Sequence, residues 1–196
     1  MHFFLQGDKG IGKSTLLQEV LSPCAAVLAG FATQRLTAGG RPVGFRALVV
    51  DGALPPVEVP YSEGCGGAGD VFLLRGKRDV SVLERKICEA EQAVRRSSVR
   101  LVLLDEVGGI ELASEAFMSL LSRILAGGKP CIGVFKSPEN LASTLQATGV
   151  SDRYQSQHQA LKRIIQQEGE LKTLTKENRQ AVRAQASRFV EAALKA

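Results

Sequence analysis

The feature that most constrains this chain is a glycine-rich turn set between an apolar strand and a helix. His2 to Gln6 is a short apolar run, consistent with a buried strand. It leads straight into Gly7-Asp8-Lys9-Gly10-Ile11-Gly12-Lys13-Ser14, which matches G-x-x-x-x-G-K-[ST] at every defined position. Gly12 to Leu21 then reads as a helix with Leu16, Leu17, Val20 and Leu21 on its buried side, stopped by Ser22-Pro23. Strand, turn and helix in that order make a phosphate cradle. The glycines let backbone N–H groups turn inward onto phosphate oxygens. The helix N-terminus adds positive potential at the same point. The expected phosphate contacts are Gly7, Asp8, Lys9, Gly10, Ile11, Gly12, Lys13, Ser14 and Thr15. Lys13 is expected to reach the β- and γ-phosphates, and the Ser14 hydroxyl to bind Mg²⁺.

A second site follows from Leu101-Val102-Leu103-Leu104-Asp105-Glu106. An apolar strand there delivers two carboxylates at its C-terminal end, where ligands bind in parallel sheets. This is a Walker B pattern beside a Walker A loop. Asp105 is the expected Mg²⁺ partner, and Glu106 the expected base for an attacking water. An adjacent Asp-Glu pair points to water as the nucleophile. The expected catalytic residues are thus Glu106 and Lys13, and the expected metal residues Ser14 and Asp105. The expected substrate is a nucleoside triphosphate such as ATP or GTP.

The rest of the chain alternates strand and helix patterns. Val27–Leu36 and Val43–Val50 read as β runs joined across Gly39-Gly40 as a hairpin or adjacent pair. Val57–Tyr61 and Val71–Leu74 are shorter strands. Val80–Arg96 carries the stripe Leu83, Ile87, Ala90 and Val94. Arg100–Leu104 and Pro130–Phe135 are strands, and Glu111–Ala126, Pro138–Ala147 and Gln157–Gln167 are helices. A final helix capped by Thr175 buries Val182, Ala186, Phe189, Val190 and Leu194. Such alternation predicts an α/β fold, a mostly parallel sheet with flanking helices. The expected class is a P-loop NTPase of RecA-like (ASCE) type with an inserted β-rich hairpin segment. One domain over 1–196 is expected, with the β-rich insertion at 27–74 and a helical, basic segment at 150–196.

Composition narrows the function. Of the net charge of +5, residues 151–196 carry +4, from nine Lys/Arg against five Asp/Glu. That segment reads as a solvated helical face, with an anionic partner such as nucleic acid as the weaker alternative. Aromatic content of 5% with no Trp argues against a stacking platform for single strands. Cys24, Cys65, Cys88 and Cys131 are widely spaced, so free thiols are expected and a zinc site is not. No apolar run approaches the roughly 20 residues that span a bilayer, and the first residues do not read as a signal peptide. A soluble, cytoplasmic protein with no membrane partner is expected. Two features are set aside. Gly64–Gly69 resembles a phosphate loop in composition but has no Lys-Ser/Thr or helix after it. His158 reads as a surface residue on a polar helix face.

Four stretches resemble the THEP-type nucleoside-triphosphatases, small P-loop NTPases. They are Gly12-Lys13-Ser14-Thr15-Leu16-Leu17, the Gly30-Phe31-x-Thr33 segment leading through Gly39-Gly40 to Gly44-Phe45, the run Leu103 to Leu112 containing Asp105-Glu106-Val107-Gly108-Gly109-Ile110-Glu111, and Leu174-Thr175-x-Glu177-Asn178-Arg179. The resemblance implies Mg²⁺-dependent hydrolysis of several nucleoside triphosphates with limited base preference. It also implies a compact α/β domain with a β-rich segment beside the nucleotide. The chain departs from the pattern at Gly109, where Lys is common. It departs again at Gln34-Arg35-Leu36-Thr37, which replaces an acidic-then-Arg pattern. Pro42 stands where an Arg is usual, with Arg41 adjacent. The stretch from about 142 to 170 is longer and more helical. Phosphate binding and the metal site carry over; the charges that tune the γ-phosphate do not. A nucleotide kinase and a nucleotide-gated module for nucleic acid or a protein partner remain as alternatives.

Overall fold

The computed structural model describes residues 1–62, 69–141 and 153–195. Its first strand, β1 (His2–Gln6), has four of its five residues buried. It lies between β8 (Cys131–Phe135) and β9 (Gly169–Thr173), parallel to both. A strand covered on both faces needs no polar alternation, which is why β1 reads as an unbroken apolar run. Beyond β8 comes β7 (Leu101–Val107), and beyond β7 comes β2 (Leu28–Ala38), all parallel. The strand order is β6-β5-β3-β2-β7-β8-β1-β9, with β4 (Glu58–Pro60) also paired to β2. The phosphate-loop strand β1 and the acid-bearing strand β7 are therefore separated by β8. The sheet is mostly parallel, as expected, and turns antiparallel only at β3 (Arg41–Asp51), β5 (Val71–Leu74) and β6 (Lys77–Arg78).

The stretch from 27 to 74 is woven into this sheet. Residues Leu28–Ala32 of β2 pair with Leu101–Asp105 of β7 in the parallel core. The far half of the same strand continues outward as one arm of a hairpin with β3. Gly39 and Gly40 (φ +56° and +72°) form the two-residue turn whose left-handed backbone matches the strand twist. Gly30 is needed for another reason. A Cβ there would fall 1.9 Å from the Leu103 carbonyl oxygen, so only glycine lets β2 approach β7.

Helices cover both faces. One face packs against α2 (Val80–Val94), α3 (Glu115–Ala126) and α4 (Arg153–Glu168), with Phe4, Phe31, Ile87, Phe117, Phe135 and Leu161 in one core. The other packs against α1 (Lys13–Leu21) and α5 (Arg179–Lys195), with Phe3, Leu5, Leu17, Val134 and Phe189 in a second. The Asp79 side chain caps α2 by accepting from the Ser81 amide at 3.0 Å.

The structure differs from the sequence reading in several places. The run Glu111–Ala126 is two pieces: a 3₁₀ turn over Ile110–Ala113 and then α3, capped by Ser114, whose Oγ accepts from the Phe117 amide at 3.0 Å. Thr175 does not begin α5. It forms a reciprocal pair with Asn178, which fixes the turn one step earlier, and the helix starts at Arg179. The sequence reading gave no strand at β9, because Gly-Glu-Leu-Lys-Thr is polar and short, as edge strands are. His158 is buried, not surface: its ring lies on Phe135 at 4.4 Å, and its polar neighbours Gln157 and Gln159 obscured that face. Helix Pro138–Ala147 is described only over 138–141, which is helical. Cys65 and most of Gly64–Gly69 lie outside the described residues; Cys24, Cys88 and Cys131 are free thiols.

Candidate active site

The loop between β1 and α1 makes the floor of a cleft of about 980 Å³. Gly7, Gly10 and Gly12 adopt φ of +137°, +79° and +89°, a backbone conformation that residues with side chains rarely take. A Cβ at Gly7 would collide with the Leu174 carbonyl oxygen at 2.6 Å, because the chain after β9 bonds to Gln6 at that point. The Lys13 side chain is buried and donates to the carbonyl oxygens of Gly7 and Asp8, each at 2.8 Å. Burial holds its pKa below the usual lysine value, and the charges of Glu106, Asp105 and Asp8 oppose that shift.

At the C-terminal end of β7, Asp105 and Glu106 stand beside the start of α1. Ser14 Oγ donates to Asp105 Oδ1 at 3.0 Å, so an alcohol and a carboxylate meet across two elements far apart in sequence. Asp105 is 8% exposed, and its pKa is pushed up to about 7, first by burial and then by the charge of Glu106. The Ser14 hydrogen bond and Lys13 pull the other way. Such a carboxylate is short of positive charge, and a hard cation beside it would supply that charge.

The expected contacts are thus partly assembled in one place. Lys9, Gly10, Gly12, Lys13, Ser14, Thr15 and Glu106 line the cleft. Asp105 sits just behind them with Ser14, next to Gln18 and Thr33. Asp8 is exposed and Ile11 packs against the core below α1; the side chains of these two do not line the cleft. Among the described residues, no group of three or more His, Cys, Asp or Glu side chains could hold a metal by themselves.

Sequence reasoning missed several residues. Arg179 at the start of α5 donates to the carbonyl oxygens of Ile11 and Gly12 at 3.4 and 3.2 Å, and pairs with Glu19 at 3.2 Å. It clamps the phosphate loop from behind. Asn140 Nδ2 donates to the Gly7 oxygen at 3.1 Å. Glu111 is buried, and its Oε1 accepts from the amides of Gly108 and Gly109 at 2.5 and 2.6 Å, which folds the loop after β7. Burial raises its pKa against those hydrogen bonds and the charge of Lys136. Arg179 and Glu111 lay within quoted motifs that gave them no role; Lys136 and Asn140 had no motif at all. The outer wall comes from the antiparallel strands, where Phe45 and Phe72 stack at 6.3 Å beside Arg35 and Arg78.

The comparisons agree on kinship. A family model described as NTPase matches residues 2–186. A cancer-related nucleoside-triphosphatase homolog of Bos taurus is 29% identical over 145 residues, 70% of this chain and 76% of its own length. The nucleoside-triphosphatase THEP1 of Methanocaldococcus jannaschii is 25% identical over 186 residues, 92% and 91% of the two chains. The fold is shared with the solution structure of a human cancer-related nucleoside triphosphatase, at a TM-score of 0.59, 21% identity and 97% of each chain. It is shared too with the crystal structure of THEP1 from Aquifex aeolicus, at a TM-score of 0.57, 20% identity and coverage of 97% of this chain and 99% of that one.

Proposed function

The chain belongs to the NTPase family, and from that premise we propose that it cleaves the terminal phosphoanhydride of nucleoside triphosphates, using Glu106 to take the proton of the attacking water. One observation carries the reading: the Ser14–Asp105 contact at 3.0 Å, which fixes the helix that receives phosphate against the strand that supplies the acids. In the reaction, a water oxygen bonds to the γ-phosphorus and the bond from that phosphorus to the β–γ bridging oxygen breaks. The nucleoside diphosphate leaves with that oxygen, and Glu106 accepts the proton of the water. General-base catalysis of this kind contributes about 10²–10⁴-fold.

Ser14 and Asp105 would hold a Mg²⁺ ion. Both are oxygen donors, and Asp105 is a buried carboxylate whose charge has too little compensation. When bound, Mg²⁺ supplies positive charge to the phosphate oxygens. The two protein oxygens suit an ion that keeps several waters and takes the rest of its shell from phosphate. The chain's own part is to bind and orient. The loop amides and Lys13 hold the β- and γ-phosphates, and Arg179 and Asn140 hold the loop in shape. Base preference is limited, since the motifs address phosphate and metal alone. The Phe45–Phe72 wall is apolar and stacks without reading base edges.

The experiment is phosphate release from ATP, GTP, CTP and UTP, with and without Mg²⁺ and with and without nucleic acid. Release from all four within about a hundredfold of one another, and only with Mg²⁺, supports the reading. Phosphate that appears only when nucleic acid is added moves the function to a gated module. Transfer to added NMP makes the protein a kinase.

A further inference from the structure

We propose that Lys136 is a further catalytic residue of this site, placing a second ammonium on the γ-phosphate opposite Lys13, in space that the chain keeps open by having glycine at position 109. The proposal rests on the hydrolytic reading above.

Lys136 directly follows β8, the strand between the phosphate-loop strand and the acid-bearing strand. It therefore leaves the sheet at the edge where both sites face the cleft, and it lines that cleft together with Lys13 and Glu106. Its backbone is held on both sides. Its amide donates to the Val107 oxygen at 2.8 Å, and its carbonyl oxygen accepts from His158 Nε2 at 2.7 Å. The His158 ring is itself seated on Phe135. The point from which the side chain enters the cleft is thus fixed, which favours electrostatic stabilisation of a transition state.

The space around Gly109 points the same way. A Cβ built there would lie 3.2 Å from Lys136 Nζ and 3.0 Å from Glu111 Oε2. Gly109 has φ −112° and ψ −136°, outside the left-handed region that favours glycine. A side chain there would press on the ends of both Glu111 and Lys136, and glycine leaves them that space. Glu111 feels the Lys136 ammonium through its charge, while its Oε1 accepts from the amides of Gly108 and Gly109. A lysine lining the cleft beside Lys13 can meet an anionic ligand bound there. The ligand's chemistry is that of a terminal phosphate with three free oxygens, where charge builds as the bridging bond breaks.

The test uses the full chain with Lys136→Met, Lys136→Gln and Lys136→Arg. Removing a phosphate donor aimed at the transition state lowers turnover by about 10²–10³-fold. Calorimetric affinities for a non-hydrolysable triphosphate and for the diphosphate provide a readout independent of chemistry. The preference for triphosphate should fall about 10- to 100-fold in Lys136→Met and Lys136→Gln, and Lys136→Arg should restore most of it. Diphosphate affinity and melting temperature should stay near wild type in all three. A neutral variant that keeps the wild-type preference for triphosphate overturns the proposal, whatever its turnover. So does an equal loss of both affinities, which would mark a structural role. The hydrolytic reading fails separately, through Lys13→Ala that still binds triphosphate normally.

Discussion

The two walls of the cleft are built on different principles. The inner wall is the phosphate loop with the ends of β7 and β8. Its groups are backbone amides, Lys9, Lys13 and Lys136, and adjacent carboxylates, gathered at the ends of parallel strands of the sheet. The outer wall is the antiparallel β2–β3–β5 edge, with Phe45, Phe72, Arg35 and Arg78. The inner wall meets phosphate, which every nucleotide shares. The outer wall offers rings and guanidiniums on strands that are half exposed. Chemistry should therefore tolerate almost no change at the inner wall, while the outer wall should tune preference by small steps.

The largest expected effect is at the inner wall. Lys13→Ala removes the loop's fixed cation, and triphosphate affinity should fall at least about 100-fold, near 2.7 kcal/mol, with the melting curve unchanged. Isothermal calorimetry with a non-hydrolysable triphosphate measures it. Affinity within a few-fold of wild type would erase the distinction between the walls.

A smaller effect concerns how the inner wall is anchored. Burial lowers the pKa of His158 below 6.5, so the folded state holds it neutral while its Nε2 bonds the Lys136 carbonyl. The unfolded chain then binds more protons near pH 6, and this contribution is complete above pH 6.5 and is lost as pH falls below it. Asp105 and Glu111 have raised values and act in the opposite sense. The comparison is therefore made between wild type and His158→Gln by urea unfolding at pH 7.5 and 5.5. The substitution should cost about 1–3 kcal/mol at pH 7.5 and measurably less at pH 5.5. A cost that grows in acid would mean the ring is charged in the fold.

The smallest effect belongs to the outer wall. Phe45→Leu removes one ring of the pair stacked at 6.3 Å. Turnover should stay within about threefold, with KM shifting by a few-fold and by similar factors for purine and pyrimidine triphosphates. Steady-state kinetics with ATP and CTP checks this. A loss above tenfold for one base alone would make the outer wall a base-reading site.

The same contrast explains what could be read from the sequence. β1, the phosphate loop, α1 and the Asp105–Glu106 strand are local: each lies within a dozen residues, and its periodicity or glycine spacing states its conformation. The groups that complete the site are not local. Arg179 reaches the loop from 167 positions away, and His158 reaches Lys136 across 22. Glu111 sits on what reads as a helical stripe, but its carboxylate turns back to the amides of Gly108 and Gly109 and breaks that stripe in two. β9 has the polarity of a loop and becomes a strand only because β1 offers it a partner.

The central claim is that Glu106 moves the proton while other groups hold the nucleotide. Single-turnover hydrolysis by Glu106→Gln, measured beside equilibrium triphosphate binding, tests it most directly. The amide keeps the size of the carboxylate and can still hydrogen-bond water, but it accepts no proton. The rate should fall about 10²–10⁴-fold while affinity stays within a few-fold or rises, since a negative charge near the γ-phosphate is gone. A wild-type rate would place the base elsewhere, and a collapse of binding would make Glu106 a metal ligand; either result contradicts the account.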